Sequence, residues 1–112
     1  MNVEKMALKA ENVETLLKAM ANRQRLMILC QLLNQEMSVS AIVQSIGLSQ
    51  SAISQHLSVL RNDGLVATRR ESQTIYYAIS NEQVFKLMEL LYAMFCQPDE
   101  EEAEPKKKRR TS

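Results

Sequence analysis

The segment from Ser49 to Arg61 carries amide, hydroxyl and guanidinium side chains that could contact the edges of nucleic-acid bases. Ile53, Leu57 and Leu60 recur at helical spacing, which predicts an amphipathic helix with one apolar face. The opposite face has no acidic residue, so it could enter a DNA major groove, where amides, hydroxyls and arginines contact bases or phosphates. The residues on this face are Gln50, Ser51, Ser54, Gln55, Ser58 and Arg61.

Cys30 and Cys96 are the two cysteines of the chain and lie far apart in the sequence. Cys30 lies late in the second predicted helix, and Cys96 ends the last. If the last helix packs back over the second, both cysteines can fall on the same side of the domain within disulfide reach. A cysteine on an apolar helix face is usually a small buried hydrophobe, so the residues alone leave a reactive and a structural role open. No signal-peptide pattern or membrane-length apolar run is present, which predicts a reducing cytoplasm and no membrane partner.

The helix that directly precedes the polar helix, and a β-hairpin that follows it, should hold the polar helix in position. Ser38 can cap the start of this preceding helix, and Gly47, in a left-handed conformation, can end it. The alternating residues of 65–70 and 74–79 predict two strands joined by a short tip. This hairpin would bring three polar side chains toward a neighbouring groove or phosphate: Arg69, Arg70 and Gln73.

Three further helices complete the predicted domain: Lys9–Met20, one that Asn22 caps, and one from Asn81 to Cys96. The chain is therefore predicted to be mainly α with a small β-hairpin, a winged helix-turn-helix in the order α-α-α-α-β-β-α. We expect residues 1–8 to be a flexible N-terminus and residues 9–96 to form the DNA-binding and dimerisation domain. An acidic block followed by KKKRR predicts a disordered charged tail over residues 97–112.

Size and charge limit the function classes. A chain of 112 residues is one domain, shorter than an enzyme with a deep pocket usually needs, and we expect no cofactor. A net charge of +1 excludes a polycation that coats nucleic acid nonspecifically. A small thiol enzyme with Cys96 as nucleophile is an alternative, but the sequence shows no base near either cysteine.

The first and last helices carry more apolar residues than so small a core can cover. Packing of these helices against the same helices of a second chain would form a two-fold dimer. One short helix contacts only a few base pairs, and a dimer would contact two half-sites about one helical turn apart. The alternative is that both helices pack within one chain.

Three blocks resemble the ArsR/SmtB family of bacterial winged-helix repressors: AMANRQRL at 19–26, LSQSAISQHL at 48–57 and LRNDGLV at 60–66. The resemblance implies a homodimer that binds double-stranded operator DNA and releases it on sensing a chemical signal. It also implies that Gln50, Ser51, Ser54, Gln55 and His56 face the groove. An interhelical hydrogen bond is an equally supported role for His56, which flanks the apolar face.

The metal sites of the family are not matched. Ser38 and Ser40 occupy positions where arsenic- and cadmium-type members have cysteines, and hydroxyls are poor ligands for soft metals. The last helix has no histidine, whereas zinc-type members place one there. We therefore expect no metal site, and a metal-sensing repressor is kept as an alternative.

The motifs TIYY at 74–77, ILC at 28–30 and FC at 95–96 resemble the subgroup containing HlyU, BigR and SqrR. Members of that subgroup sense persulfides and other reactive sulfur species with a cysteine pair. The resemblance implies that Cys30 and Cys96 bridge and that operator binding is then lost. A DNA-binding anti-silencer with inert cysteines is the remaining alternative.

Overall fold

The computed structural model describes residues 1–96, and the predicted charged tail lies outside them. The described residues form five α-helices and three β-strands. The elements in chain order are α1 (Val3–Met20), α2 (Arg23–Leu32), β1 (Met37–Ser38), α3 (Val39–Ile46), α4 (Gln50–Asn62), β2 (Val66–Glu71), β3 (Thr74–Ile79) and α5 (Glu82–Phe95). This mainly helical arrangement with a β-hairpin wing confirms the predicted winged helix-turn-helix.

Side-chain caps start four of the helices where the sequence predicts them. Asn22, Ser38, Ser49 and Asn81 each accept a hydrogen bond from a backbone N–H in the first turn of the helix that follows. Gly47 ends α3 with φ 90°, and its N–H donates to the Val43 carbonyl at 2.8 Å. The left-handed stop predicted at Gly47 is therefore confirmed.

The first helix is longer than predicted. It begins at Val3 instead of Lys9, so most of the segment expected to be a flexible N-terminus is helical. Asn2 provides the cap, since its side chain accepts a hydrogen bond from the Lys5 N–H at 3.0 Å. The segment that follows contains good helix formers and no proline or glycine, so nothing interrupts the helix before Lys9.

The sheet contains one strand that the sequence did not predict. Residues of β1 pair with β3, which also pairs with β2, so the strand order is β1-β3-β2 and both pairings are antiparallel. The hairpin register runs from Val66 opposite Ile79 to Glu71 opposite Thr74. Ser72, with φ 60°, and Gln73 form the turn at the wing tip.

The core lies between α2, α3, α4, the hairpin and one face of α5. Eight side chains in it have almost no exposed surface: Ile28, Leu29, Ile42, Ile53, Leu57, Leu60, Leu65 and Val84. α1 contributes to the buried cluster only Ala19 and Met20, at its C-terminal end. Most of α1 therefore projects from the domain with its side chains exposed. None of the described helices is long and apolar enough to cross a membrane.

Candidate DNA-binding surface and cysteine groove

The polar face of α4 is fixed in place by its apolar face. Ile53, Leu57 and Leu60 are fully buried against the core, which leaves little freedom for the helix to rotate. The groove-facing residues predicted on α4 are exposed, His56 excepted: Gln50, Ser51, Ser54, Gln55 and Arg61. No aspartate or glutamate lies between residues 50 and 62, so nothing on α4 repels phosphate.

His56 differs from the other predicted contacts because it is only half exposed and faces α2. Arg25 Nη1 lies 3.5 Å from His56 Nδ1. Arg25 also donates from Nε to the Ala19 carbonyl at 2.6 Å and from Nη2 to the Lys18 carbonyl at 3.3 Å. One arginine on α2 thus connects the C-terminal end of α1 to α4. Burial, followed by the charge of Arg25, lowers the pKa of His56 below its ordinary value.

Stability is expected to fall as the pH is lowered from about 7.5 to 5.5, because the unfolded chain takes up a proton at His56 more readily. The folded-state pKa of His56 lies below the unfolded value, so the loss begins near the unfolded pKa and ends below the folded one. Thermal melts across this range should show the loss in the wild type and a flatter profile in His56→Gln. His56 is the one histidine of the chain, so an equal slope in both proteins would exclude it as the cause.

The wing presents Arg70 and Gln73 as exposed side chains, but Arg69 is engaged within the protein. Arg69 donates from Nε and Nη2 to the two carboxylate oxygens of Glu36, at 2.8 and 2.5 Å, and from Nη1 to Glu71 at 2.8 Å. Its guanidinium also lies over the Tyr76 ring, 4.7 Å from the centroid.

The bidentate contact with Arg69 lowers the pKa of the Glu36 carboxyl, and the two carboxylates together raise the pKa of Arg69. Arg69 therefore fixes the middle of β2 against Glu36, the residue preceding β1. The guanidinium of Arg70 forms no ion pair with any residue in 1–96, so it is the wing cation available for a phosphate. The sequence pattern did not predict a role for Glu36, because its contact with Arg69 spans 33 residues.

Cys30 lies in a groove between the C-terminal part of α2 and α5. Its free thiol is half-buried, and the side chain packs on the edge of the core. The groove has a volume of about 570 Å³, with the amides of Gln31, Asn34 and Gln35 on one side and with Phe85, Glu89 and Tyr92 of α5 on the other.

Cys96 caps the C-terminal end of α5 and is exposed. Its N–H donates to the Tyr92 carbonyl at 2.9 Å, so it lies one turn beyond Tyr92, about 6 Å along the helix axis. Residues 85, 89, 92 and 96 have the spacing of a single helix face. The α5 face that lines the groove with Cys30 therefore leads to Cys96.

Two exposed apolar surfaces lie away from this groove. On α1, Met6, Ala10, Val13 and Leu17 form a stripe along one face, which we call the α1 stripe. On α5, Leu90 and Met94 are more than half exposed and lie on the side of the helix opposite Tyr92. Within residues 1–96, no three His, Cys, Asp or Glu side chains converge as a metal site would require.

Three relatives are similar to this chain in sequence and architecture. The transcriptional activator HlyU of Vibrio cholerae is 48% identical over 100 residues, 89% of this chain and 93% of HlyU. A structure of reduced HlyU from that organism has a TM-score of 0.80 at 49% identity, covering 84% of this chain and 99% of that one. The repressor BigR of Xylella fastidiosa has a TM-score of 0.79 at 40% identity, covering 86% and 98%. The homodimeric winged helix-turn-helix domain of Mycobacterium bovis Mb0332 has a TM-score of 0.74 at 33% identity, covering 95% of this chain and 97% of that one.

The family profile of bacterial regulatory proteins of the arsR family matches residues 22–68, which span α2 to the start of the wing. The relatives are transcription regulators, which confirms the prediction that this chain is a regulator. The predicted likeness to HlyU and BigR is confirmed as well. The chain belongs to the ArsR family of bacterial regulatory proteins.

Proposed function

We propose that this chain is a homodimeric transcriptional repressor that binds operator DNA when Cys30 and Cys96 are reduced and releases it when they are bridged. Persulfides and related reactive sulfur species are the proposed inducers. The observation that carries the proposal is the groove in which the half-buried thiol of Cys30 lies opposite the α5 face that continues to Cys96.

The DNA contact is assigned to α4 and the wing. Gln50, Ser51, Ser54, Gln55 and Arg61 are exposed on a face without acidic residues, which suits the major groove. Arg70 and Gln73 at the wing would contact phosphate or the adjacent groove. His56 and Arg69 contribute by position, His56 through Arg25 and Arg69 through Glu36.

Dimerisation is assigned to the α1 stripe and to Leu90 and Met94. In an isolated chain these side chains leave apolar surface in water, and α1 packs on the core only at its C-terminal end. A second copy would cover them symmetrically, and the relative Mb0332 is homodimeric. Two polar α4 faces would then be held at a fixed separation for two operator half-sites.

The proposed switch is a two-electron oxidation of the cysteine pair by a persulfide, RSSH. One cysteine thiolate attacks the outer sulfur, the S–S bond of RSSH breaks, and RS⁻ leaves and takes up a proton. The second thiolate then attacks the cysteine sulfur of this new persulfide, forms the Cys30–Cys96 disulfide and expels hydrosulfide. The sulfane sulfur is reduced to sulfide while two thiols are oxidised, so the net products are RSH, H₂S and one disulfide.

A bridge would act on DNA binding through the helices that it joins. α2 carries both Cys30 and Arg25, and Arg25 contacts the end of α1 and His56 of α4. Pulling α5 toward α2 would therefore shift α2, which contacts both the end of α1 at the proposed dimer interface and the DNA-binding helix α4. A shift of an ångström or two between the two α4 helices is enough to break their register with paired half-sites.

Fluorescence anisotropy on the promoter DNA of the protein tests the proposal directly. The reduced protein should bind tightly, lose that binding on treatment with an organic persulfide, and regain it with a reductant. A DNA affinity that the persulfide does not change would contradict the switch. Cys30 would then be a packing residue, in line with its contact with the core.

Gln55→Ala is expected to weaken operator binding by about 1–3 kcal/mol and to leave the fold intact, because the exposed amide loses a base-edge contact. Anisotropy titrations of the reduced proteins measure the change. Gln83→Ala removes an amide that is also exposed, on α5, and should bind as the wild type does. Unchanged affinity in Gln55→Ala would remove this residue from the contact surface.

A further inference from the structure

We infer that the groove beside Cys30 favours persulfides that carry an ammonium group over persulfides that carry a carboxylate, and that Glu89 sets this preference. The inference rests on the proposed function, since it names the class of inducer that reacts with the cysteine pair.

Glu89 is placed to act on a molecule in the groove. Among the residues that the structure describes, it is the single charged side chain in the groove lining, and it forms no ion pair within residues 1–96. The other glutamate of α5, Glu82, is paired with Lys86 at 3.4 Å and lies outside the groove. Within residues 1–96, Glu89 is therefore the uncompensated charge in the groove that the Cys30 thiol lines.

The other lining groups are suited to a small polar molecule. Gln31, Asn34 and Gln35 offer amide donors and acceptors opposite Glu89, while Phe85 and Tyr92 offer aromatic surface for a carbon chain. A groove of about 570 Å³ is large enough for a low-molecular-weight persulfide. Because these amides are neutral, the charge of Glu89 alone distinguishes cationic from anionic molecules of similar size.

The groove stays accessible in the proposed dimer. Leu90 and Met94, the exposed apolar residues assigned to the dimer, lie on the side of α5 opposite Tyr92. A second copy packed on them would leave the Cys30 face open. A persulfide entering the groove would reach Cys30 with a cationic group near Glu89, while Cys96 lies one turn beyond Tyr92 and about two turns beyond Glu89.

The test compares persulfides of cysteamine, mercaptoethanol and N-acetylcysteine, whose organic groups are cationic, neutral and anionic. Mass spectrometry follows disulfide formation, and anisotropy follows DNA release. Opposite unit charges a few ångströms apart in water change an affinity about fivefold. In the wild type the cationic persulfide should therefore react fastest, and Glu89→Gln should reduce the cation-to-anion rate ratio about fivefold or more.

Comparing this ratio between proteins cancels the intrinsic reactivity of each persulfide and any common effect of Glu89 on the thiols. Glu89→Lys should invert the preference, and Glu82→Gln should leave it unchanged. A ratio that Glu89→Gln does not alter, with DNA still released, would overturn the inference alone. Failure of all three persulfides to release DNA would overturn the proposed function instead.

Discussion

Replacing Cys30 with serine is expected to give a dimer that binds operator DNA as the wild type does but no longer releases it when a persulfide is added. A serine hydroxyl forms no stable bond to sulfane sulfur, so the bridge to Cys96 cannot close. The side chain is half-buried at the edge of the core and similar in size, so the fold should persist. We expect persulfide to reduce wild-type affinity about 5–150-fold, the usual range of allosteric coupling, and to leave Cys30→Ser unchanged.

Anisotropy before and after treatment measures this difference, with mass spectrometry recording the sulfur added to each protein. Cys96→Ser is the matched variant, because a bridge requires both residues and the response should be lost in either. The chain has no third cysteine that could substitute. Release of DNA by Cys30→Ser at the wild-type persulfide concentration would disprove the two-cysteine switch.

Helix boundaries could be predicted where the signal lies within one turn of the chain. Asn22, Ser38 and Ser49 each accept a hydrogen bond from a backbone N–H three residues later, a contact whose two ends the sequence shows side by side. Gly47 is equally local, since a φ of 90° is open to glycine and strained for other residues. The positions of α2, α3 and α4, and with them the polar face of α4, follow from these residues.

The contacts that the sequence did not reveal join residues distant along the chain. Glu36 and Arg69 are 33 residues apart, so the ion pair that engages Arg69 becomes visible only when β1 packs beside β3. A strand of two residues shows no alternation, so β1 itself gave no pattern. The groove depends likewise on how α5 packs against α2, although the spacing of residues 85, 89, 92 and 96 could have shown that Cys96 shares a face with Glu89.

Leu17→Glu is expected to convert the protein to a monomer that has lost most of its affinity for a two-half-site operator. Leu17 belongs to the α1 stripe and is 49% exposed in the single chain, so glutamate there is tolerated by the fold but not inside a dimer interface. A monomer loses the gain from simultaneous binding to two half-sites, which is on the order of 100-fold or more. Sedimentation velocity measures the association state, and anisotropy measures the affinity.

Leu8→Glu makes the matched comparison, since Leu8 is 83% exposed and lies on the opposite face of α1 from the α1 stripe. Both variants place the same charge on the same projecting helix, so general effects on α1 are shared between them. A dimer that survives Leu17→Glu with full operator affinity would show that α1 is not the dimer contact. Loss of the dimer in Leu17→Glu alone would assign the interface to one face of α1, because that face is what distinguishes the two variants.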